Sequence, residues 1–398
     1  MELSSEKLSI VYRTLNEQNV DAWLITGRET IMKREPILRV LGDMDFIIAT
    51  TLIFCRDGKC IAIVSPLDAE CYKLIRGVDE VIVYPGTMQE TIAEVLARLD
   101  PKVLALNFSS DDAAADGLTV GMHMMLQDVF KSIDFKGEVV SAFPIINKVK
   151  GIKTFSQIER IRDCAVQAEK YLRRIPSICK EGTTSLDLFE FLQKVAFEDG
   201  YGMSWAESQC PGVSVDPSVP SGHMGIISTP LVKGYVVNID YGVSKDGYCS
   251  DLQRMYYVLK DDEEDAPEYV KKAFYLVRDA IRTAVAFMKP GVTGFQVDQV
   301  ARHMIVDEGF DSWNAALGHQ VGHETHDGGT ILANRRPRYN KPALIDTPLD
   351  AGNVFAVEPS VTIAEGRIGV EENVLVTEHG GLFIAPPQDE LILVRLQK

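Results

Sequence analysis

The apolar run from Tyr235 to Ile239 reads as a strand, and after Ser244-Lys245-Asp246-Gly247 the chain from Tyr248 to Asp251 returns antiparallel to it. With those four residues as the loop, Asp240 pairs directly with Asp251. With Asp246-Gly247 as a two-residue loop the pair becomes diagonal, yet both side chains stay on one face because strand faces alternate with period two. Like charges set against each other destabilise a sheet. Either one carboxyl keeps its proton with a raised pKa, or a cation lies between the two.

Before this hairpin the pattern divides the chain. Strand-like segments at Ala22 to Thr26, Thr50 to Cys55, Cys60 to Val64 and Val103 to Asn107 alternate with helical spacing at Leu8 to Gln18, Leu67 to Ile75, Met88 to Leu99 and Val120 to Phe130. That alternation predicts an α/β layer domain over residues 1–148, with no GxGxxG phosphate loop. The second domain, residues 149–398, opens where Ser156 and Glu159 have the spacing of a capping box, starting a helix that runs to about Cys179. Lys180, Gly182, Thr184 and Gly200 recur 109 residues later as Lys289, Gly291, Thr293 and Gly309, around a second helix. Each copy follows a long helix and precedes strand-like segments, so residues 149–398 read as two similar halves with a site between them.

Composition narrows the class. A hydrophobic share of 46% with 25% charged residues is that of a soluble globular protein. No run reaches the roughly 18 apolar residues of a membrane span, and Met1 to Glu6 has no signal-peptide pattern, so a cytoplasmic protein with no membrane partner is expected. A net charge of -16 argues against nucleic acid as a partner. Seven scattered cysteines without CxxC argue against a disulfide framework and a thiolate zinc site.

Ligand-type residues gather in the last part of the chain. Gly318 to Gly329 holds three of the seven histidines, His319, His323 and His326, among glycines that argue for a loop, at a spacing that excludes a helical HExxH site. Glu358 ends the apolar run Val354 to Val357, and Glu371 stands before Val374-Leu375-Val376. Such carboxylates are costly to bury unless paired or metal-bound. With Asp240 and Asp251 they form a set of two Asp, two Glu and one His, which suits two divalent cations of the Mn, Co, Fe or Zn type.

Asn238 to Gly242, Gly247 to Arg254, Gly318-His319, Val357-Glu358-Pro359 and Glu371 to Thr377, in this order, resemble the pita-bread metallopeptidases: prolidases, Xaa-Pro aminopeptidases, methionine aminopeptidases and creatinases. The layout is nearest to an Xaa-Pro dipeptidase or aminopeptidase. The resemblance implies a creatinase/prolidase-like α/β N-terminal domain and an α+β pita-bread catalytic domain with internal pseudo-twofold duplication. It implies that Asp240 and Asp251 bind one metal, that Asp251, His319, Glu358 and Glu371 bind the other, and that manganese is the preferred ion of the two sites. His223, 17 residues before Asp240, takes the place of a substrate-contacting histidine, and His326, seven after His319, that of a histidine stabilising the tetrahedral intermediate; Glu358 is the expected base. The implied function is hydrolysis of short peptides at the N-terminal residue, at Xaa-Pro bonds, by a metal-bridging hydroxide in a homodimer. A creatinase-like hydrolase, a metal-dependent lyase and a non-catalytic binding module are the alternatives on the same fold. Two positions depart from the family pattern: Gln320 replaces a glycine, and Gly369 stands where prolidases and Xaa-Pro aminopeptidases have arginine. Arg367 is expected to reach the site only with a shifted strand register.

Overall fold

The structure, a computed structural model, describes residues 2–42, 44–219 and 225–398. Its contacts divide it into Met1–Gly151 and Ile152–Lys398. The helix Phe143–Gly151 runs on past the expected division at residue 148 and ends the first unit. Among the described residues no helix is long and apolar enough to cross a membrane. All seven cysteines are free thiols, and only Cys71 is exposed.

The first unit is built on a six-stranded mixed sheet in the spatial order Glu80–Val83, Cys60–Val64, Thr50–Cys55, Ala22–Gly27, Val103–Leu106, Glu138–Ser141. Its central strands are buried on both faces and mostly apolar, as in sheets covered by helices. The helix expected over Leu67 to Ile75 shrinks to Ala69–Tyr72. Leu67 and Leu74 stand 82% and 80% exposed, while Ala69, Tyr72 and Ile75 are buried.

In the second unit the first helix is Phe155–Leu172, and its capping box is Thr154 with Gln157, two residues ahead of the expected Ser156 with Glu159. Both tetrapeptides fit the pattern. The choice is made by Lys153, whose backbone N–H donates to Gly352 O and holds the chain extended up to Thr154, so the helix starts there. It stops at Leu172, and a separate 3-10 turn covers Ile175–Ser177.

The duplication is visible in the backbone. Helices Ser185–Glu198 and Gly294–Asp307 are capped alike, by Thr184 with Asp187 and by Thr293 with Gln296. Gly182 and Gly291 stand at φ 85° and 86°, and Gly200 and Gly309 at 77° and 87°. Beyond the helices the likeness continues at an offset of 118, which the sequence analysis did not find: Thr229-Pro230-Leu231, Gly234 and Asp240 match Thr347-Pro348-Leu349, Gly352 and Glu358. Leu231 N donates to Thr183 O as Leu349 N does to Val292 O, and Gly234 N to Val258 O as Gly352 N does to Val376 O. Each half is centred on a four-stranded sheet, ordered Ile392–Val394, Leu252–Val258, Val236–Tyr241, Gly212–Ser214 in one, whose edge strand Ile392–Val394 comes from the C-terminal end, and Gly380–Phe383, Glu372–Thr377, Val354–Val357, Gly318–Gln320 in the other. The two sheets meet at a bridge between Gln253 and Glu371, whose N–H groups donate to each other's carbonyls at 3.3 and 3.2 Å. At the offset of 118 these two residues are equivalent, so the bridge lies on the pseudo-twofold.

Nothing lies within 4 Å of a Cβ built on Gly182 or Gly291, so an alanine there meets only the left-handed backbone. Gly182→Ala and Gly291→Ala should each lower the unfolding free energy by about 1–2 kcal/mol, and the double variant by their sum. Urea unfolding followed by circular dichroism measures it.

Candidate metal centre

Strand alternation brings the acidic residues together. Asp240 pairs with Gln253 in the strands Val236–Tyr241 and Leu252–Val258, and Asp251, two before Gln253, therefore shares its face with Asp240. The hairpin tip pairs Lys245 with Tyr248, which makes Asp246-Gly247 the loop, with φ 50° and 78°. These are the positive angles of a type I′ turn. The Asp240–Asp251 relation is thus the diagonal one of the two anticipated arrangements.

In the other sheet His319 pairs with Ala356 and Val357 with Glu372, and one further step of this register sets Glu358 opposite Glu371. His319, Glu358 and Glu371 consequently share one face. The Gln253–Glu371 bridge then sets this group beside the aspartates. His319 Nε2 lies 3.6 Å from Asp251 Oδ2, 3.7 Å from Glu358 Oε1 and 4.0 Å from Glu371 Oε1. Two atoms that each bind one cation at roughly 2.0–2.2 Å stand no more than about 4.4 Å apart, so these separations fit ligands of a common ion.

The electrostatics point the same way. Burial first, then the charges of Asp240 and Glu358, hold the Asp251 carboxyl well above the usual carboxylate range. Glu371 is raised by burial and then by Asp251, and Glu358 is pushed up to about 8 by burial and then by Asp240. Burial and the neighbouring His326 lower His319 to about 3, so its ring is neutral. Nδ1 of that ring lies 3.3 Å from Gln320 O, and as the donor there it leaves the Nε2 lone pair toward the carboxylates. Asp251 Oδ1 and Glu371 Oε1 are buried without a hydrogen-bond partner among the described residues. Carboxylate oxygens left facing a neutral imidazole and other carboxylates form a set that a divalent cation completes.

The surroundings hold these groups in place. Gly318 carries no Cβ because one would stand 1.9 Å from Ala356 O. The Asn373 side chain accepts from Asp251 N at 3.0 Å and donates to Asp251 O at 2.8 Å, standing in for a strand partner at a break in the ladder. Arg254, 1% exposed, donates to Glu371 O, Gln253 O and the Glu372 carboxylate and pairs with Glu169. Of the adjacent Glu371 and Glu372, alternation thus turns the first to the cluster and the second to Arg254.

His326 lies edge-on to His319 with ring centroids 4.3 Å apart. His323 stacks on Tyr248 and sets Nδ1 2.7 Å from Gly247 O, which ties the histidine loop to the hairpin tip. His223 lies outside the described residues. Gln320 is buried, and the strand Gly318–Gln320 replaces loop at the start of the histidine-rich segment.

Residues 159–378, more than half of the chain, match metallopeptidase family M24. The chain belongs to this family. Among relatives of this M24 metallopeptidase, the Xaa-Pro dipeptidase of Pyrococcus horikoshii is 29% identical over 271 residues, 66% of this chain and 68% of that one. The solved Xaa-Pro dipeptidase from Bacillus anthracis aligns with TM-score 0.71 at 22% identity, covering 98% of this chain and 99% of its own. The X-Pro aminopeptidase from Thermotoga maritima aligns with TM-score 0.67 at 19% identity, covering 99% and 100%. The fold of the M24 chain is that of these pita-bread enzymes, its activity is that of a peptidase, and its family uses divalent metal.

Two residues at the centre, Gln253 and Asn238, had no role from sequence. Gln253 donates Nε2 to Glu371 Oε2 at 2.8 Å and to Glu358 Oε2 at 3.3 Å. Arg367 donates Nη1 to Gln253 Oε1 at 3.1 Å and to Asn238 Oδ1 at 3.3 Å, in the unshifted register that pairs it with Thr362. Arg367 meets Gln253 and Asn238 without a shift of register, its guanidinium lying close over Gly369. The signal for Gln253 was present: it is two residues from Asp251, hence on the same face.

The raised carboxyls set a pH dependence. Between the ordinary 4.5 of an unfolded glutamate and about 8, folded metal-free protein binds more protons at Glu358 than the unfolded chain does, so stability falls as pH rises through that window. We expect the melting temperature of chelator-treated protein to drop from pH 5 to pH 8, and saturating divalent cation to abolish or reverse the drop; scanning calorimetry at matched ionic strength reads both.

Proposed function

We propose that this chain is a two-metal peptidase that releases the N-terminal residue of short peptides, with Xaa-Pro bonds as its substrates. The observation that carries this reading is the convergence of Asp251, Glu358 and Glu371 on the neutral His319 ring, with Asp240 close enough to raise all three carboxyls. The Xaa-Pro preference is supported by the names of the dipeptidase and aminopeptidase relatives.

Asp240 and Asp251 would hold one cation, and Asp251, His319, Glu358 and Glu371 the second, with Asp251 and Glu371 shared. Bound divalent ions, with manganese the preferred species, would supply Lewis acidity at the carbonyl and make water acidic enough to react near neutral pH. Glu358, the most open of the three glutamate and aspartate side chains around His319 at 20% exposure, takes the proton of the attacking water and passes it to the leaving amine. His326 donates to the carbonyl oxygen as negative charge develops there. The acidic cluster attracts the substrate's free amino group.

Hydrolysis of an Xaa-Pro dipeptide should vanish with chelator and return with manganese, cobalt, iron or zinc. Full activity in metal-free protein would falsify the two-metal reading, while metal-dependent activity confined to peptides without proline would remove the substrate assignment alone. Asp251→Asn, which keeps the shape and loses the charge, should bind well under two metals per chain by elemental analysis and be inactive.

The histidines separate by role. His319→Ala should lose metal and activity together. His326→Ala should keep its metal and lose about 100- to 1,000-fold in turnover, as for one oxyanion donor. His323→Ala, whose ring packs on Tyr248, should change turnover less than about tenfold, or roughly 1.4 kcal/mol. A metal-replete, inactive His323→Ala beside a tolerant His326→Ala would reverse the two roles.

A further inference from the structure

The two glutamates of the cluster each have one oxygen turned inward and one held from behind. Glu358 Oε1 and Glu371 Oε1 face His319 Nε2, whereas Glu358 Oε2 and Glu371 Oε2 both accept from Gln253 Nε2. One primary amide thus spends both of its N–H donors on two ligand-type carboxylates. Nothing in an amide itself enforces that orientation, because a half-turn about the last side-chain bond exchanges oxygen and nitrogen at little steric cost. The flipped rotamer would set Oε1 against two carboxylates and release both.

Arg367 opposes the flip. Its Nη1 donates to Gln253 Oε1 and to Asn238 Oδ1, so a rotated amide would set its NH2 against a guanidinium that has only donors. Asn238 is held in turn, donating Nδ2 to Gly369 O at 2.7 Å. The guanidinium lies close over residue 369, which has no side chain: a Cβ there would stand 3.0 Å from Gln253 Oε1, 3.1 Å from Arg367 Cζ and 3.2 Å from Nη2, so the two side chains would have to give way. The pseudo-twofold makes the arrangement legible, since at the offset of 118 Gly369 is equivalent to Asp251 and Gln253 to Glu371. Where one half has a ligand-type aspartate the other has an empty position, and where one has a ligand-type glutamate the other has a neutral amide.

We propose that Arg367 is a positioning residue that acts through Gln253, using the gap at Gly369, to aim the inner oxygens of Glu358 and Glu371 at the metal. The proposal rests on the metal reading of the cluster. Charge alone does not fix the sign of its effect, since a guanidinium repels an incoming cation but also favours the ionised Glu358 that would bind one. Positioning is therefore read from Gly369→Val, which keeps that charge and displaces the guanidinium.

The test is calorimetric titration of manganese chloride into the chelator-stripped, dialysed full chain. Arg367→Ala and Gln253→Ala should each weaken manganese binding by about 10- to 100-fold, the usual effect of losing a group that orients metal ligands. Because both act in one chain of contacts, the double variant should be no weaker than the worse single variant. Arg367→Lys, which keeps an N–H donor, should recover part of the loss. Gly369→Val, which leaves both side chains chemically intact and fills the gap, should weaken binding as well, and it stands in if Arg367→Ala does not fold. Manganese affinity that is unchanged or raised in Arg367→Ala or in Gly369→Val, or losses that add in the double variant, would overturn the relay while leaving the metal site in place. Wild-type protein that takes up no manganese would overturn the metal reading, and the relay with it.

Discussion

The arrangement of the second unit follows from a conflict that the protein chain cannot resolve by itself. Burial and then neighbouring carboxylate charge, that of Asp240 in every case, raise the pKa values of Asp251, Glu358 and Glu371 around an imidazole that is itself neutral. Without a cation the folded state must take up protons or tolerate repulsion. Leaving Asp251 Oδ1 and Glu371 Oε1 buried and unbonded among the described residues stores the difference at the place where a divalent ion would release it. Such a cluster survives folding only if rigid surroundings hold each carboxylate where it is.

Those surroundings are concentrated at the seam between the half-sheets. Arg254 is buried there with Glu169 and Glu372, and its remaining N–H groups reach the Gln253 and Glu371 carbonyls that form the bridge. Removing one partner from a buried set of this kind costs about 3–5 kcal/mol, because a charge is left uncompensated. Asn373 clamps the backbone of Asp251, and Lys153 pairs at 3.0 Å with the buried Asp327 at the end of the histidine loop. The groups around the cluster therefore supply hydrogen bonds from outside and leave the inward oxygens open.

The duplication explains how so many acids come to one place. Two copies of a capped helix followed by a strand bring Asp240 and Glu358 to equivalent positions, and the axis runs through the Gln253–Glu371 bridge. The halves then diverge residue by residue. Asp251 and Gly369, or Glu371 and Gln253, occupy matching positions with different chemistry, so a symmetric frame carries an asymmetric site.

Much of this was legible in the chain alone. Periodicity placed the Asp240 and Asp251 side chains on one face whichever turn formed, because the side-chain period of a strand is two and either loop length preserves it. The repeat of Lys180, Gly182, Thr184 and Gly200 marked the duplication, because a left-handed backbone position and a helix cap each demand a small set of residue types. The identity and order of Asp240, Asp251, His319, Glu358 and Glu371 were also in the sequence. Tertiary structure decided what depends on distance between remote segments. It chose the two-residue turn, it started the first helix of the second unit at Thr154, where Gly352 holds Lys153, and it cut the helix expected over Leu67 to Ile75 to Ala69–Tyr72. It set Gln253 against Glu371 across 118 residues and let Arg367 meet Gln253 close over Gly369. A local pattern fixes which way a side chain points, but which atoms it meets is settled only when strands far apart in the chain are laid side by side.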